Sequence, residues 1–181
     1  EIAGIPAHVT RMGFTAELGY EVMVPVERAL ELWDAVLAAG QDLGVQAAAA
    51  AALMQVRVEA GMIMGDFEYD ETSTPFECRM GWAVDLEKAD FQGRGALLAH
   101  KDDVRTRVVS VTLDCAPDVA EGARLLHDGS EVGFVTMAVP SPALGGATLA
   151  LARVAAPAAR IGTELGLRSE EHTSELQSHS F

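Results

Sequence analysis

Residues 8–14 and 20–24 alternate in the manner of strands and are rich in Val, Phe, Tyr and Thr, with a turn around residues 15–19 between them. They predict a hairpin that Pro25 ends. Over residues 27–43 the period lengthens to that of a helix, with Leu30, Trp33, Val36 and Leu37 on one apolar face and Gly40 and Gly44 ending it. That face is expected to pack on the sheet. Residues 46–60 open with six consecutive alanines and continue LMQVRVEA, which is helix-forming sequence without a breaker before Gly61. Residues 65–75, GDFEYDETSTP, then read as a polar, turn-rich loop. Residues 75–97 predict an extended connection with Trp82 and Val84 buried and with Gly93 and Gly95 in turns. From Arg107 onward the runs VVSVTLD, ARLLHD, EVGFVTMAV and ATLALARV are separated by turn chemistry at Asp128-Gly129 and across residues 140–146. A small antiparallel barrel or sandwich is expected there.

Charge and cysteine usage narrow the partners. The 181 residues carry 27 acidic and 13 basic side chains, a net charge of −14, so a nucleic acid or an anionic membrane would be repelled. Both are excluded as expected partners. A chain of this length buries roughly 70% of the surface that its unfolded form exposes, enough for one large or two small domains. No apolar run reaches the roughly 20 residues of a membrane helix. Two cysteines without a CxxC pair, and the lack of a secretory segment, fit a reducing cytoplasm and no structural zinc. The loop acids Asp66, Glu68, Asp70 and Glu71 invite a calcium reading, but an EF-hand loop needs Gly at its sixth position, where Glu71 stands. A solvated acidic loop is expected, and no metal. His100 and His127 have no Cys or His at ligand spacing and read as ordinary histidines.

Both ends depart from the rest. The chain starts at Glu1 and enters almost directly into strand-like sequence, so an N-terminal part of a longer parent is expected outside it. Residues 168–181, RSEEHTSELQSHSF, change composition abruptly and resemble a translated sequencing-library adapter. They are expected to be a non-native tail, the alternative being a native disordered one.

Candidate chemistry centres on Glu21, placed just after Gly19-Tyr20 at the start of a strand. A carboxylate accepts two parallel N–H bonds, as a pterin's amidine-like edge would offer, and such charged bonds are shorter and stronger than neutral ones. The plain alternative is a solvated Glu on a strand edge. GFTAELGYEVMVP resembles the GYTGExGxE signature of the aminomethyltransferase family, which includes the glycine-cleavage T-protein, the folate domains of dimethylglycine and sarcosine oxidases, and folate-dependent demethylases. VRVEAG at 56–61 is similar to that family's LRLEAG; TPFE at 74–77, GWAV and ADFQGRGAL follow in order, and the SPALG turn lies in a stretch similar to the family's C-terminal domain. The resemblance covers residues 10–167.

This resemblance implies an α+β fold: the remainder of a ferredoxin-like α/β folate-binding domain over residues 1–95, then a small antiparallel β-barrel over 96–167. It implies tetrahydrofolate as cofactor, with Glu21 on the pterin. Phe14 stands where the family has a Tyr, keeping a stacking face and losing a hydroxyl. Leu53 replaces an Arg and Met62 a frequent Tyr, while Arg57 is kept. A lost Arg contact would be worth about 1.5–3 kcal/mol. Arg57 beside Glu59 reads more readily as a structural ion pair than as a ligand contact. The implied activity is transfer of a one-carbon unit, aminomethyl or methyl, to tetrahydrofolate. The donor is a small compound, with a lipoyl carrier protein or a fused flavin domain as alternative partners.

The family's catalytic Asp belongs to a region outside these residues, so no catalytic residue is assigned and the chain alone is expected to be inactive. Losing a positioned acid–base group typically costs about 10²- to 10⁴-fold. Two other readings stand beside this one. One is a folate domain of a flavin-dependent N-methyl amine oxidase. The other is a folate-binding or assembly module without transferase activity, against which PFECRMGW lacks the KGCxxGQE signature of such relatives.

Overall fold

Strand pairing begins with β1, His8–Thr10, which runs antiparallel to β2, Glu21–Met23, with His8 opposite Met23 and Thr10 opposite Glu21. The computed structural model describes residues 1–168 and the strand positions 173–174 and 179–180. Both strands are shorter than the pattern predicts, and residues 11–20 form an irregular loop instead of a tight turn. The sequence offers no two-residue Asn-Gly type of connection there, and the Thr15 hydroxyl accepts from the Glu17 N–H at 3.3 Å to fold the loop on itself. These strands belong to the first of two units, Glu1–Met62; the second is Ile63–Phe181.

A 3-10 turn, Val26–Arg28, leads into α1, Ala29–Gly40. It ends where Val45 N–H reaches the Gly40 carbonyl at 3.1 Å and Gly44 N–H reaches Gln41 at 3.3 Å, with Gly44 left-handed at φ +75°. This is a Schellman end. Gly40 is required too, because a Cβ there would lie 2.4 Å from Val45 Cγ2. The expected packing of α1 is reversed: Leu32 is buried, while Leu30, Trp33 and Val36 face outward. Periodicity tells which residues share a face, and not whether the chain supplies a partner for it.

The second helix, α2, spans Ala50–Glu59 and so starts four residues later than the expected start at Gln46. Alanine has the best intrinsic propensity but cannot cap, and Ala49 stands at the N-cap in extended conformation without a side-chain bond.

In the second unit α3, Arg94–His100, starts beyond Gly93, whose φ of +86° turns the chain into it, so Gly95 is helical and makes no turn. Trp82, expected to be buried, is exposed on a 3-10 turn, Gly81–Ala83. Gly81 instead lies against the Phe76 ring. Four strands follow close to the expected positions: β3 Thr106–Leu113, β4 Arg124–His127, β5 Ser130–Ser141 and β6 Ala147–Ala155, with α4, Pro117–Ala120, after β3. With β7 Gly166–Arg168, β8 Thr173–Ser174 and β9 His179–Ser180 they form an antiparallel sheet in the order β8-β7-β4-β5-β6-β3-β9. Of the tail expected over residues 168–181, Arg168 ends β7 opposite Arg124, and apart from β8 and β9 the remainder lies outside the described residues.

Alternation fills one side of this sheet. Val109, Val111, Leu125, Val135, Ala150, Ala152, Val154 and Leu167 form its core. Asp128 and Gly129, at φ +50° and +76°, make the β4–β5 turn that the Asp-Gly pair predicts. No helix of the described residues is long and apolar enough to cross a membrane.

Candidate functional site

Glu21 opens β2 and Thr10 closes β1, and the register sets them directly opposite each other at the loop end of the ribbon. Residues so paired project to the same face with Cβ atoms roughly 4.5–5.5 Å apart. The Glu21 side chain is exposed, whereas the Thr10 hydroxyl is buried and has no hydrogen-bond partner among the described residues. Leaving such a group unsatisfied costs about 1–3 kcal/mol, and Thr10 Oγ1, with almost no exposed surface, meets an added polar atom only after a local opening. Together a two-oxygen acceptor and a hydroxyl suit a flat ligand edge that carries several N–H donors. Phe14 is half-buried in the adjoining loop. Thr10 was not among the residues singled out by sequence; pairing across the hairpin was the signal that could have found it.

Arg57 and Met62 meet at the C-terminal end of α2, while Leu53 lies in its first turn. Met62 N–H bonds the Arg57 carbonyl at 2.8 Å and Gly61 N–H bonds Val58 at 3.0 Å, with Gly61 at φ +68°. This second Schellman end is the physical content of VRVEAG: a helix that must stop at Glu59-Ala60 and a glycine that lets it. The fully buried Arg57 side chain folds over the same turn, donating from Nη1 to the Met62 carbonyl at 3.0 Å and from Nε to Met54 Sδ at 3.3 Å. Arg57 and Met62 are thus joined through the Met62 main chain. Leu53 lies one turn earlier on the same helix and is partly exposed.

A second polar group occupies the other unit. Thr74 Oγ1 accepts from Glu77 N–H at 3.2 Å while the Glu77 carboxylate accepts from Thr74 N–H at 3.0 Å, a reciprocal capping box around Pro75-Phe76. Met80 N–H to Pro75 and Arg79 N–H to Phe76 close the single turn, with Arg79 forced to φ +58°. Its guanidinium compensates by donating to the carbonyls of Val108 at 2.8 Å and Ala159 at 3.3 Å. Burial pushes the Glu77 carboxyl up, but the Thr74 bonds, Arg105 at 3.4 Å and Arg153 outweigh it and hold the group below the usual carboxylate range.

The acidic loop is not wholly solvated, as had been expected. Glu68 is fully buried, accepting from Met64 N–H at 2.8 Å and from the Thr136 hydroxyl at 2.8 Å. Thr136 is the extra residue of a bulge in β5, where the register with β6 shifts between Val135 and Met137. Asp70 is held low by Thr72 and Ser73 hydroxyls and the Thr72 N–H, and faces Arg153 at 4.0 Å. Burial raises the Cys78 thiol, which marks it as unreactive.

With this geometry established, two family models account for most of the chain: the GCVT N-terminal domain over residues 1–88 and the glycine cleavage T-protein C-terminal barrel domain over residues 105–178. The chain belongs to the aminomethyltransferase family. Its sheet in the second unit is accordingly that family's barrel domain. An aminomethyltransferase of Thermotoga maritima is 34% identical over 166 residues, covering 92% of this chain and 45% of the relative. A trimethylamine-oxide aldolase of Ruegeria pomeroyi is 36% identical over 164 residues, covering 90% of this chain and 21% of the relative. Among solved structures, the glycine cleavage system aminomethyltransferase T of Bartonella henselae superposes with a TM-score of 0.83 at 26% identity, over 94% of this chain and 47% of that one. The chain therefore spans less than half the length of these relatives. The family motifs in it are, physically, a helix stop, a capping box and the SPALG turn, in which Ser141 Oγ accepts from Leu144 N–H at 3.3 Å and Gly145 adopts φ +67°.

Proposed function

We propose that this chain is the folate-binding portion of a tetrahydrofolate-dependent one-carbon transferase, with Glu21 accepting from the N–H edge of the pterin and Thr10 supplying the neighbouring hydroxyl. The observation that carries the reading is the pairing of an exposed carboxylate with a buried, unpartnered hydroxyl at one end of the ribbon. Tetrahydrofolate, when bound, supplies the nitrogen that takes up the one-carbon unit. Phe14 offers a ring face to the pterin, and Arg57 holds the α2 terminus rigid at Met62. Arg57 then contributes to the site by fixing the main chain. The donor is a small methyl or aminomethyl compound, and the unpaired Cys78 and Cys115 suit a reducing, cytoplasmic setting.

One observation favours a second reading, a folate module within a longer enzyme acting on an N-methyl amine. Leu53 and Met62 are both apolar, and a much longer relative is named for trimethylamine oxide. Calorimetric titration with tetrahydrofolate tests the assignment of the site. Glu21→Gln is expected to weaken the Kd about ten- to hundred-fold, the equivalent of about 1.5–3 kcal/mol for a hydrogen bond to a charged group. Thr10→Val is expected to weaken it less. Equal affinity in wild type and Glu21→Gln would contradict the assignment.

A further inference from the structure

In the second unit Arg105, Arg124, Arg153 and Arg168 each meet a carboxylate. Arg105 lies 3.4 Å from Glu77 and Arg153 4.0 Å from Asp70, while Arg124 and Arg168 share Glu131. Arg107 differs: it is half-buried on β3 and makes no hydrogen bond or ion pair among the described residues. The charge beside it is another cation, Arg79. Residues 77–79 lie along the edge of β3 that faces away from β6. There Val108 N–H donates to the Glu77 carbonyl at 3.1 Å and Arg79 Nε donates to the Val108 carbonyl at 2.8 Å. Arg79 Nη2 donates to the Ala159 carbonyl at 3.3 Å. These bonds fix the Arg79 guanidinium at the residue next to Arg107, and they do so on a backbone at φ +58°, a conformation that costs energy to hold.

Burial, and after it the charge of Arg107, push the Arg79 group down from its ordinary value, so the two cations repel each other. A guanidinium carries five N–H donors in one plane. Bonds to two carbonyls leave the rest of Arg79's donors, and all of Arg107's, without an acceptor among the described residues. Water satisfies such donors but leaves the like charges unanswered. A group with two or more anionic oxygens does both, and arginine is the side chain that matches its geometry. We propose that Arg79 and Arg107 hold a small oxyanion, the carboxylate or phosphate group of a ligand, at the β3 edge. The bound group accepts from both guanidinium groups and cancels their repulsion. Arg105 takes no part, since its charge is spent on Glu77. The inference does not rest on the folate reading, because every residue in it belongs to the second unit and neither Glu21 nor Thr10 enters.

The test titrates the whole chain with inorganic phosphate and, separately, with acetate, against sodium chloride at matched ionic strength. The expected result is a saturable shift of the Arg79 and Arg107 Nε–H signals in proton–nitrogen NMR spectra. At ten times the measured Kd the Tm should rise by about 3–6 °C. The probe that binds more tightly names the head group, tetrahedral or planar. Arg107→Gln should weaken the Kd about tenfold or more and abolish the rise in Tm. Arg107→Lys, which keeps the charge but not the planar fork, should weaken it less, and it carries the test if the Gln variant does not fold. Arg124→Gln, whose guanidinium already faces Glu131, should bind as the wild type does. Three results would overturn the proposal: a response to both probes no larger than that to sodium chloride, a Kd that both Arg107 variants leave unchanged, or an equal loss of binding in Arg124→Gln.

Discussion

Glu77 is a charged carboxylate almost sealed from solvent, and its ionisation is linked to the stability of the second unit. Its folded-state pKa lies below the ordinary value near 4.3, so the stabilisation is fully present above that value and is lost as pH falls through the lowered one. Thermal stability of the chain is expected to drop on acidification through this window. Glu77→Gln should flatten that slope in a melting series and, at neutral pH, lose about 1.5–3 kcal/mol with the charged bonds to Thr74. An unchanged pH slope would mean that other carboxylates govern acid sensitivity. Single residues were unevenly legible in the sequence. Gly61 announces a helix stop, whereas the capping-box spacing of Thr74 and Glu77 is a signal that the reading of 75–97 as an extended connection passes over. Glu68 gives no such signal, because its partner Thr136 lies 68 positions away on a bulge that no local pattern reveals. Thr10 matters only through the register that sets it against Glu21.

Elements were clearest where turn chemistry and alternation agree. Strands β4 and β5 meet at Asp128-Gly129, and β5 and β6 at the SPALG turn, so their limits could be read nearly to the residue. Less was legible in β1 and β2, whose long loop lacks a turn-specific pair, and in α2, where unbroken alanine masked the missing cap. At Gly133 the barrel makes its tightest demand. A Cβ there would fall 2.0 Å from the Arg153 carbonyl, so β5 and β6 can pair only with glycine at this point. Gly133→Ala is expected to lower stability by about 1–3 kcal/mol or more, as overpacking does, read as a reduced Tm with weakened exchange protection in β5 and β6. The neighbouring exposed position Glu131 provides the control: it makes only surface ion pairs, to Arg168 at 2.7 Å and Arg124 at 3.7 Å, so Glu131→Ala should cost no more than about 1 kcal/mol. Equal melting of both variants would show that the strands can part there without cost.

At the scale of the molecule the two units contrast. The second is gathered around one core, while the described residues of the first bury only Ile5, Leu32 and Val58 among their apolar side chains. Sequence motifs revealed the family because they encode stops, caps and turns that any member must make. They could not reveal that α1 turns Leu32 inward and its larger apolar stripe outward, since that depends on what else is present to pack against it. The central claim is that folate binds at the ribbon through Glu21. It is tested most directly by mapping tetrahydrofolate onto the chain by amide NMR. The account predicts saturable shifts at Thr10, Glu21 and the intervening loop, lost in Glu21→Gln. Shifts confined to β3–β7, or none at a ribbon shown to be folded, would contradict it.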